Sequence, residues 1–261
     1  MILEARNLHL AYEEREVVHG LSLAVRSREV ISLIGPNGSG KSTILRALSR
    51  TLRPRGGAVY LNGHDIHSLS PSKLAKQLAI LPQAPQAPSD LTVRDLVWYG
   101  RSPHQRWWRR ATAADADVVA WALAETKLER LADRPVATLS GGERQRAWIA
   151  LALAQTPEVL LLDEPTTYLD IAHQLEVMEL IRRLNRSLGL TVIMVLHDIN
   201  QAARYSDRLI ALQNGRLVAE GEPARILTPA LFRQVFGVEA RIEYDADGVP
   251  LCLPLGLAVG E

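Results

Sequence analysis

Between residues 3 and 33 apolar and polar positions alternate, with Leu8 and Leu10 followed by Val17, Leu21, Leu23 and Val25. That period of two predicts short, half-buried strands. The alternation then gives way to Val30-Ile31-Ser32-Leu33-Ile34, a run that reads as a strand. Next the period lengthens: Leu45 and Leu48 share one face of a helix predicted to reach about Leu52. Pro54-Arg55-Gly56-Gly57 punctuates the chain, Ala58-Val59-Tyr60-Leu61 is a strand, and Asn62-Gly63 a tight turn. A strand at Leu78–Leu81 ends at Pro82-Gln83 and runs into Ala84-Pro85-Gln86-Ala87-Pro88, a proline-rich linker suited to a hinge. Residues 92–133 are mainly helical in pattern and read as an inserted α-helical subdomain, spanning about 88–138. Strand and helix alternate again over 140–212, and the apolar runs 159–162 and 192–196 predict buried strands of a parallel sheet. Asn214-Gly215 is a turn, 223–237 a small amphipathic helical appendage, and Tyr244-Asp245-Ala246-Asp247-Gly248 closes a terminal hairpin. The division is one domain over 1–237 and a C-terminal extension over 238–261.

Composition narrows what such a chain does. Hydrophobic residues make up 47% and charged residues 23% of 261 positions, which is ordinary soluble globular usage. A net charge of +1 gives no reason to expect a nucleic-acid partner. The single cysteine, Cys252, excludes an internal disulfide framework, suits a reducing cytosol, and lies between Leu251 and Leu253 as a buried, inert thiol would. Met1-Ile2-Leu3-Glu4-Ala5-Arg6 places charges where a signal peptide needs an apolar core. The longest apolar runs fall far short of the ~20 residues of a membrane span. The expectation is a cytosolic protein that reaches a membrane only through a partner. His64 and His67 lack the neighbours a metal site needs.

The first candidate chemistry is Gly35-Pro36-Asn37-Gly38-Ser39-Gly40-Lys41-Ser42-Thr43, a match to G-x-x-x-x-G-K-[ST] between a predicted strand and a predicted helix. The glycines let backbone N–H groups turn inward toward phosphate oxygens, and the following helix aims its positive end at the same place. Lys41 is placed to reach β- and γ-phosphates and Ser42 to sit on Mg²⁺. A second strand ends in Asp163-Glu164. Functional groups of an open parallel sheet gather at the carboxyl ends of its strands. Asp163 is therefore a candidate for holding Mg²⁺ through water, and Glu164 for polarising the water that attacks a γ-phosphate.

Leu139-Ser140-Gly141-Gly142-Glu143-Arg144-Gln145 adds an S-x-x-E capping box at a helix whose apolar face is Ala147, Ala150, Leu151 and Ala154. Gly141 and Gly142 weaken a helix and serve no cap, so a bare helix N-terminus there reads as a second anion site. Ser140, Gly141 and Gly142 would cradle the γ-phosphate of a nucleotide held by another copy.

With these motifs in this order, the chain up to about residue 222 resembles the ATP-binding-cassette (ABC) family. The resemblance implies a P-loop NTPase fold: a RecA-like parallel-sheet core, an antiparallel β subdomain and an inserted α-helical subdomain. It implies Mg²⁺-dependent ATP hydrolysis by two copies packed head to tail, at the cytoplasmic face of the plasma (inner) membrane. The copies would work with integral membrane permease subunits and, indirectly, a substrate-binding protein. It further implies roles at matching positions: Tyr12 stacking on adenine, Gln83 linking Mg²⁺ and attacking water to the permease, Tyr168-Leu169-Asp170 crossing the dimer interface, and His197 contacting the γ-phosphate.

Four stretches are similar to ATPases of iron–siderophore importers. They are Gly100-Arg101-Ser102-Pro103-His104-Gln105, Arg144-Gln145-Arg146-Ala147-Trp148-Ile149-Ala150, Asp170-Ile171-Ala172-His173-Gln174, and the ten residues from Leu196 to Tyr205. They read as lineage marks remote from substrate. Ser102 departs from the tyrosine expected there. Haem and cobalamin importers share the architecture, and an exporter subunit or a soluble ABC protein acting on ribosomes or DNA is a further alternative. Trp107 and Trp108, flanked by arginines, read either as core or as a surface facing the permease.

Overall fold

The computed structural model describes residues 1–105 and 112–258. Arg106-Trp107-Trp108-Arg109-Arg110, with its two open readings, lies outside the described residues. In chain order the first half holds β1 (Leu3–Tyr12), β2 (Arg15–Val25), β3 (Val30–Ile34), α1 (Lys41–Leu48), β4 (Gly56–Leu61), β5 (His64–Asp65), α2 (Pro71–Ala75), β6 (Leu78–Leu81), α3 (Val93–Tyr99) and α4 (Ala113–Glu125). There follow α5 (Gly141–Ala154), β7 (Val159–Asp163), α6 (Ile171–Leu188), β8 (Thr191–Val195), α7 (Ile199–Tyr205), β9 (Arg208–Gln213), β10 (Arg216–Gly221), α8 (Pro223–Ile226), α9 (Pro229–Leu231), β11 (Val238–Tyr244) and β12 (Pro250–Leu257). The chain forms two compact units, one of Met1–Ser68 with Thr191–Glu261, the other of Leu69–Leu190.

In the first unit, β1 pairs antiparallel with β2 and with β4. The predicted short strands are in fact two long ones, of 10 and 11 residues. What looked like strand ends are bulges. Asn7 takes φ 48° between Ala5 and Leu8, so the buried positions shift phase from Leu3 and Ala5 to Leu8 and Leu10. Gly20, at φ 68°, lies between Val18 and Leu21 in β2, and Val18 is buried where Val17 was expected. A side chain on Gly57 would stand 2.2 Å from the Asn7 carbonyl oxygen, so only glycine passes that bulge. Beyond this sheet, β3 runs parallel to β8 on one side and β9 on the other, and β10 closes on β9 antiparallel. Every residue of β3 and β8 is buried, as their apolar sequences require. Helix α1 stops at Leu48 rather than near Leu52, because Arg50 turns to φ 65°. The appendage over 223–237 is broken into short turns by Pro223 and Pro229. The chain ends in the antiparallel pair β11–β12. Cys252 is buried there, and burial pushes its thiol up to about 11, so it stays protonated at neutral pH.

In the second unit β6 and β7 are parallel neighbours, and α5 touches α3, α4, α6 and β6. Surrounded in this way, α5 does not bury one stripe. Ile149, Ala152 and Leu153 are buried beside Ala147, Ala150 and Ala154, while the predicted Leu151 is only half-buried. The Gly100–His104 stretch anchors the far end of this helix. A side chain on Gly100 would lie 2.2 Å from the Leu151 carbonyl oxygen, so α3 and α5 meet backbone to backbone. Arg101 donates from Nη1 to the Ala154 carbonyl at 2.6 Å and from Nε to Asp115 at 3.0 Å. His104 donates from Nε2 to the Gln155 carbonyl at 2.8 Å, and burial pushes its imidazole below the usual range. Residues read as lineage marks therefore satisfy the C-terminal carbonyls of α5. Both partners of the Arg101–Asp115 pair are buried, with 9% and 10% of their side chains exposed. Arg101→Ala would strand the Asp115 carboxylate and is expected to cost about 3 kcal/mol, measured by urea unfolding.

Candidate nucleotide site

The first unit builds the phosphate loop. Gly35 leaves β3 at φ 146°, and a Cβ there would fall 2.2 Å from the Leu212 carbonyl oxygen. Gly40 starts α1 at φ 99°, with Val18 of β2 2.9 Å from where its side chain would be. Both glycines are therefore demanded twice, by conformation and by close approach. Between them Asn37 and Gly38 form the exposed tip. Helix α1 has no side-chain N-cap and no acidic residue in its first turn, so its positive end is not neutralised by the chain itself. The Ser39 hydroxyl is buried with no hydrogen-bond partner among the described residues. A bare helix end, an orphaned buried hydroxyl and a glycine-shaped cradle fit a polyphosphate chain. Buried Lys41 donates from Nζ to the Gly35 and Pro36 carbonyls at 2.8 Å each, which holds the ammonium against the loop. Ser42 is half-buried and Thr43 buried in the first turn of α1.

Two single-residue candidates stand in the same unit. Tyr12, at the end of β1, is 40% exposed, and its hydroxyl accepts from Arg46 Nη1 of α1 at 3.1 Å. It is a surface aromatic tied to the helix that carries Lys41. His197 follows β8, whose Val195 pairs with Leu33 of β3, and the Leu196 amide donates to the Leu33 carbonyl at 3.3 Å. Parallel register thus puts exposed His197 level with the start of the phosphate loop.

The second unit holds Gln83, Asp163, Glu164, Ser140, Gly141, Gly142 and Asp170. Leu81 pairs with Leu162, so Gln83 and Glu164 both emerge beyond the carboxyl ends of β6 and β7. Gln83 Nε2 donates to Glu164 Oε2 at 2.6 Å. Thr167 Oγ1 donates to the same oxygen at 3.0 Å. Asp163 is buried as the last residue of β7, while Glu164 turns out of the strand at φ 54°. For a residue with a Cβ that conformation costs on the order of 1 kcal/mol or more, and it re-aims the carboxylate away from the strand line. Thr167 is a site residue that sequence reasoning missed. Its only signal is the Pro165-Thr166-Thr167 turn that follows Glu164.

At α5 the capping box forms. The Glu143 amide donates to Ser140 Oγ at 3.3 Å, and the Ser140 amide donates to Glu143 Oε2 at 2.9 Å. The two glycines after Ser140 acquire a packing reason that the sequence reading lacked. A Cβ on Gly142 would lie 2.3 Å from His173 Cδ2, and one on Gly141 3.1 Å from Leu169 Cδ2. Asp170 caps α6, accepting from the His173 amide at 2.9 Å and from His173 Nδ1 at 2.7 Å. Those bonds hold the Asp170 carboxyl below its usual range. His173 is thus a second residue that sequence reasoning did not single out, joining the start of α6 to the start of α5.

The family model for ABC transporters matches residues 18–167, more than half of the chain. This chain belongs to the ABC transporter family. As an ABC chain it has close relatives along almost its whole length. It is 49% identical over 260 residues to the iron(3+)-hydroxamate import ATP-binding protein FhuC of Bacillus subtilis (strain 168), covering 99% of this chain and 97% of that one. It is 50% identical over 241 residues to the petrobactin import ATP-binding protein FpuC of Bacillus anthracis, covering 92% and 89%. With the ferric enterobactin transport ATP-binding protein FepC of Escherichia coli (strain K12) it shares 44% over 255 residues, covering 97% and 94%. Among solved structures it resembles an ATP-binding cassette, MJ0796, in a dimeric post-hydrolysis state bound to ADP and Pi, with TM-score 0.73 and 31% identity over 85% of this chain and 98% of that one. Among the described residues of this ABC chain, no helix is long and apolar enough to cross a membrane.

Proposed function

We propose that this chain is the ATP-hydrolysing subunit that powers import of an iron–siderophore complex through a membrane permease. It is an ABC ATPase, and the substrate class is supported by what its hydroxamate, petrobactin and enterobactin relatives are named for. The observation that carries the hydrolytic role is the Glu164 carboxylate, held beyond β7 by Gln83 and Thr167.

In this reading Glu164 orients a water and takes its proton as the water oxygen bonds to the γ-phosphorus. The bond between the γ-phosphorus and the oxygen bridging to the β-phosphate breaks, leaving ADP and inorganic phosphate. A general base of this kind is worth ~10²–10⁴ in rate. Gly35 to Thr43 wrap the phosphates with backbone N–H groups, and Lys41 leaves its two carbonyl partners for the β- and γ-oxygens. Ser42, Asp163 and Gln83 are hard oxygen donors that would hold Mg²⁺, which supplies charge neutralisation at the β- and γ-phosphates when bound. Tyr12 stacks on the adenine and His197 holds the γ-phosphate. Assignment of all these residues to one nucleotide rests on the order of the motifs along the chain.

Ser140, Gly141 and Gly142 would reach the nucleotide of a second copy, with Asp170 crossing between copies. ATP would join the two and hydrolysis would part them. A dimeric solved relative supports the pairing, and the import function of the curated relatives supports permease partners. An external substrate-binding protein and a position at the cytoplasmic face of the plasma (inner) membrane complete the reading. The test is uptake of radiolabelled ferric siderophore by cells lacking the protein. Wild type is expected to restore uptake and Glu164→Gln to fail. If wild type also fails while its ATPase activity is intact, the substrate class is wrong.

A further inference from the structure

The family match ends at residue 167, and nothing in it accounts for the hairpin β11–β12. That hairpin lies against α7, the helix that begins two residues after His197. Helix α7 also touches β3, the strand that leads into the phosphate loop. Seven residues are too few for a helix to hold itself in water, so α7 is placed by its packing. Its Ala202, Ala203 and Tyr205 are buried, as are Ala240 and Cys252 of the hairpin.

The polar contacts are specific. Asn200 accepts from the Cys252 amide at 2.7 Å and donates from Nδ2 to the Cys252 carbonyl at 3.3 Å. One side chain thereby satisfies both backbone groups of a strand residue, using the donor and the acceptor that a carboxamide holds side by side. At the other end of α7, Arg204 donates to Asp245. Asp245 also accepts from the Asp247 and Val249 amides at 2.9 Å each and so holds the hairpin turn. Between these anchors and His197 stands Asp198, whose carboxylate accepts from the amides of Asn200 and Gln201 at 2.8 and 3.0 Å. On its other side His197 is tethered by the Leu196 bond to β3.

We propose that the hairpin is a brace that sets the position of His197 through α7, with Asn200 as the positioning residue. The proposal rests on the assignment of His197 to the γ-phosphate made above. A hairpin remote in sequence thereby bears on the γ-phosphate contact assigned to His197.

The test uses the full-length chain as wild type, Asn200→Ala and Asn200→Asp, followed by amide hydrogen exchange and by steady-state ATP turnover. In Asn200→Ala, exchange over residues 197–203 is expected to rise about tenfold with the rest of the chain unchanged. Turnover kcat is expected to fall about tenfold with KM within about twofold, the pattern of a displaced transition-state contact. Asn200→Asp keeps the acceptor for the Cys252 amide and is expected to recover part of both losses. Unchanged exchange and kcat in Asn200→Ala would overturn the brace. So would exchange raised across the whole chain with KM and kcat lost together, which is general destabilisation. A wild-type chain without turnover counts against the hydrolytic reading and not against the brace, which the exchange data then decide.

Discussion

In Glu164→Gln, ATP turnover is expected to fall by ~10²–10⁴ while nucleotide affinity stays near wild type. The geometry makes the substitution clean. The hydrogen bonds from Gln83 and Thr167 fall on the same carboxylate oxygen, Oε2. A glutamine can set its amide oxygen in that place and keep both donors, so the strand end and its strained turn need not move. What is lost is basicity, because a neutral amide cannot take a proton from water. With hydrolysis blocked, the ATP-joined dimer is expected to persist, and gel filtration with Mg-ATP reads it directly. Wild-type turnover in this variant would remove Glu164 as the base. Slow turnover with only monomer in solution would leave the base in place and remove the nucleotide-joined dimer.

Lys41→Ala is expected to weaken ATP binding by about one to two orders of magnitude, the value of a hydrogen bond to a charged group at ~1.5–3 kcal/mol. Lys41 is buried and already donates to the Gly35 and Pro36 carbonyls, so its ammonium waits at the loop rather than in solvent. Removing it is expected to withdraw a phosphate ligand, and it also breaks two bonds that hold the loop to itself. Titration with a fluorescent nucleotide gives the affinity, and a melting curve of the free protein separates the two losses. A fall in affinity with little change in melting assigns the effect to phosphate. Retained affinity would take Lys41 out of the site.

Much of this protein was legible before any coordinates. Gly35, Gly38 and Gly40 announce positive φ, and Ser140 with Glu143 announces a helix start. These devices act within a few residues, so the sequence contains both partners of each. The buried strands β3, β7 and β8 were equally plain, because burial on both faces demands apolar residues throughout. The bulges in β1 and β2 were not, since one inserted residue reverses the phase on which the period-two reading depends.

What the tertiary structure alone decided is which distant groups meet. Gln83 finds Glu164 across 81 positions, Arg101 finds the end of α5 across 53, and Asn200 finds the Cys252 backbone across 52. In each case the receiving group is a backbone carbonyl or amide, or a carboxylate, present in every such chain and unmarked by type. The pairing follows from which strand lies beside which and where a helix ends in space. Gly142 shows the same division at one residue. Its place at a helix start suggested room for an anion, and the ring of His173 set against it supplied a reason that no local pattern contains. Local periodicity determined the elements and the phosphate loop, because their energetics are settled within a turn or a strand. Long-range packing determined the anchors of α5, the setting of Glu164 and the seat of His197, because those energies exist only once the elements are side by side.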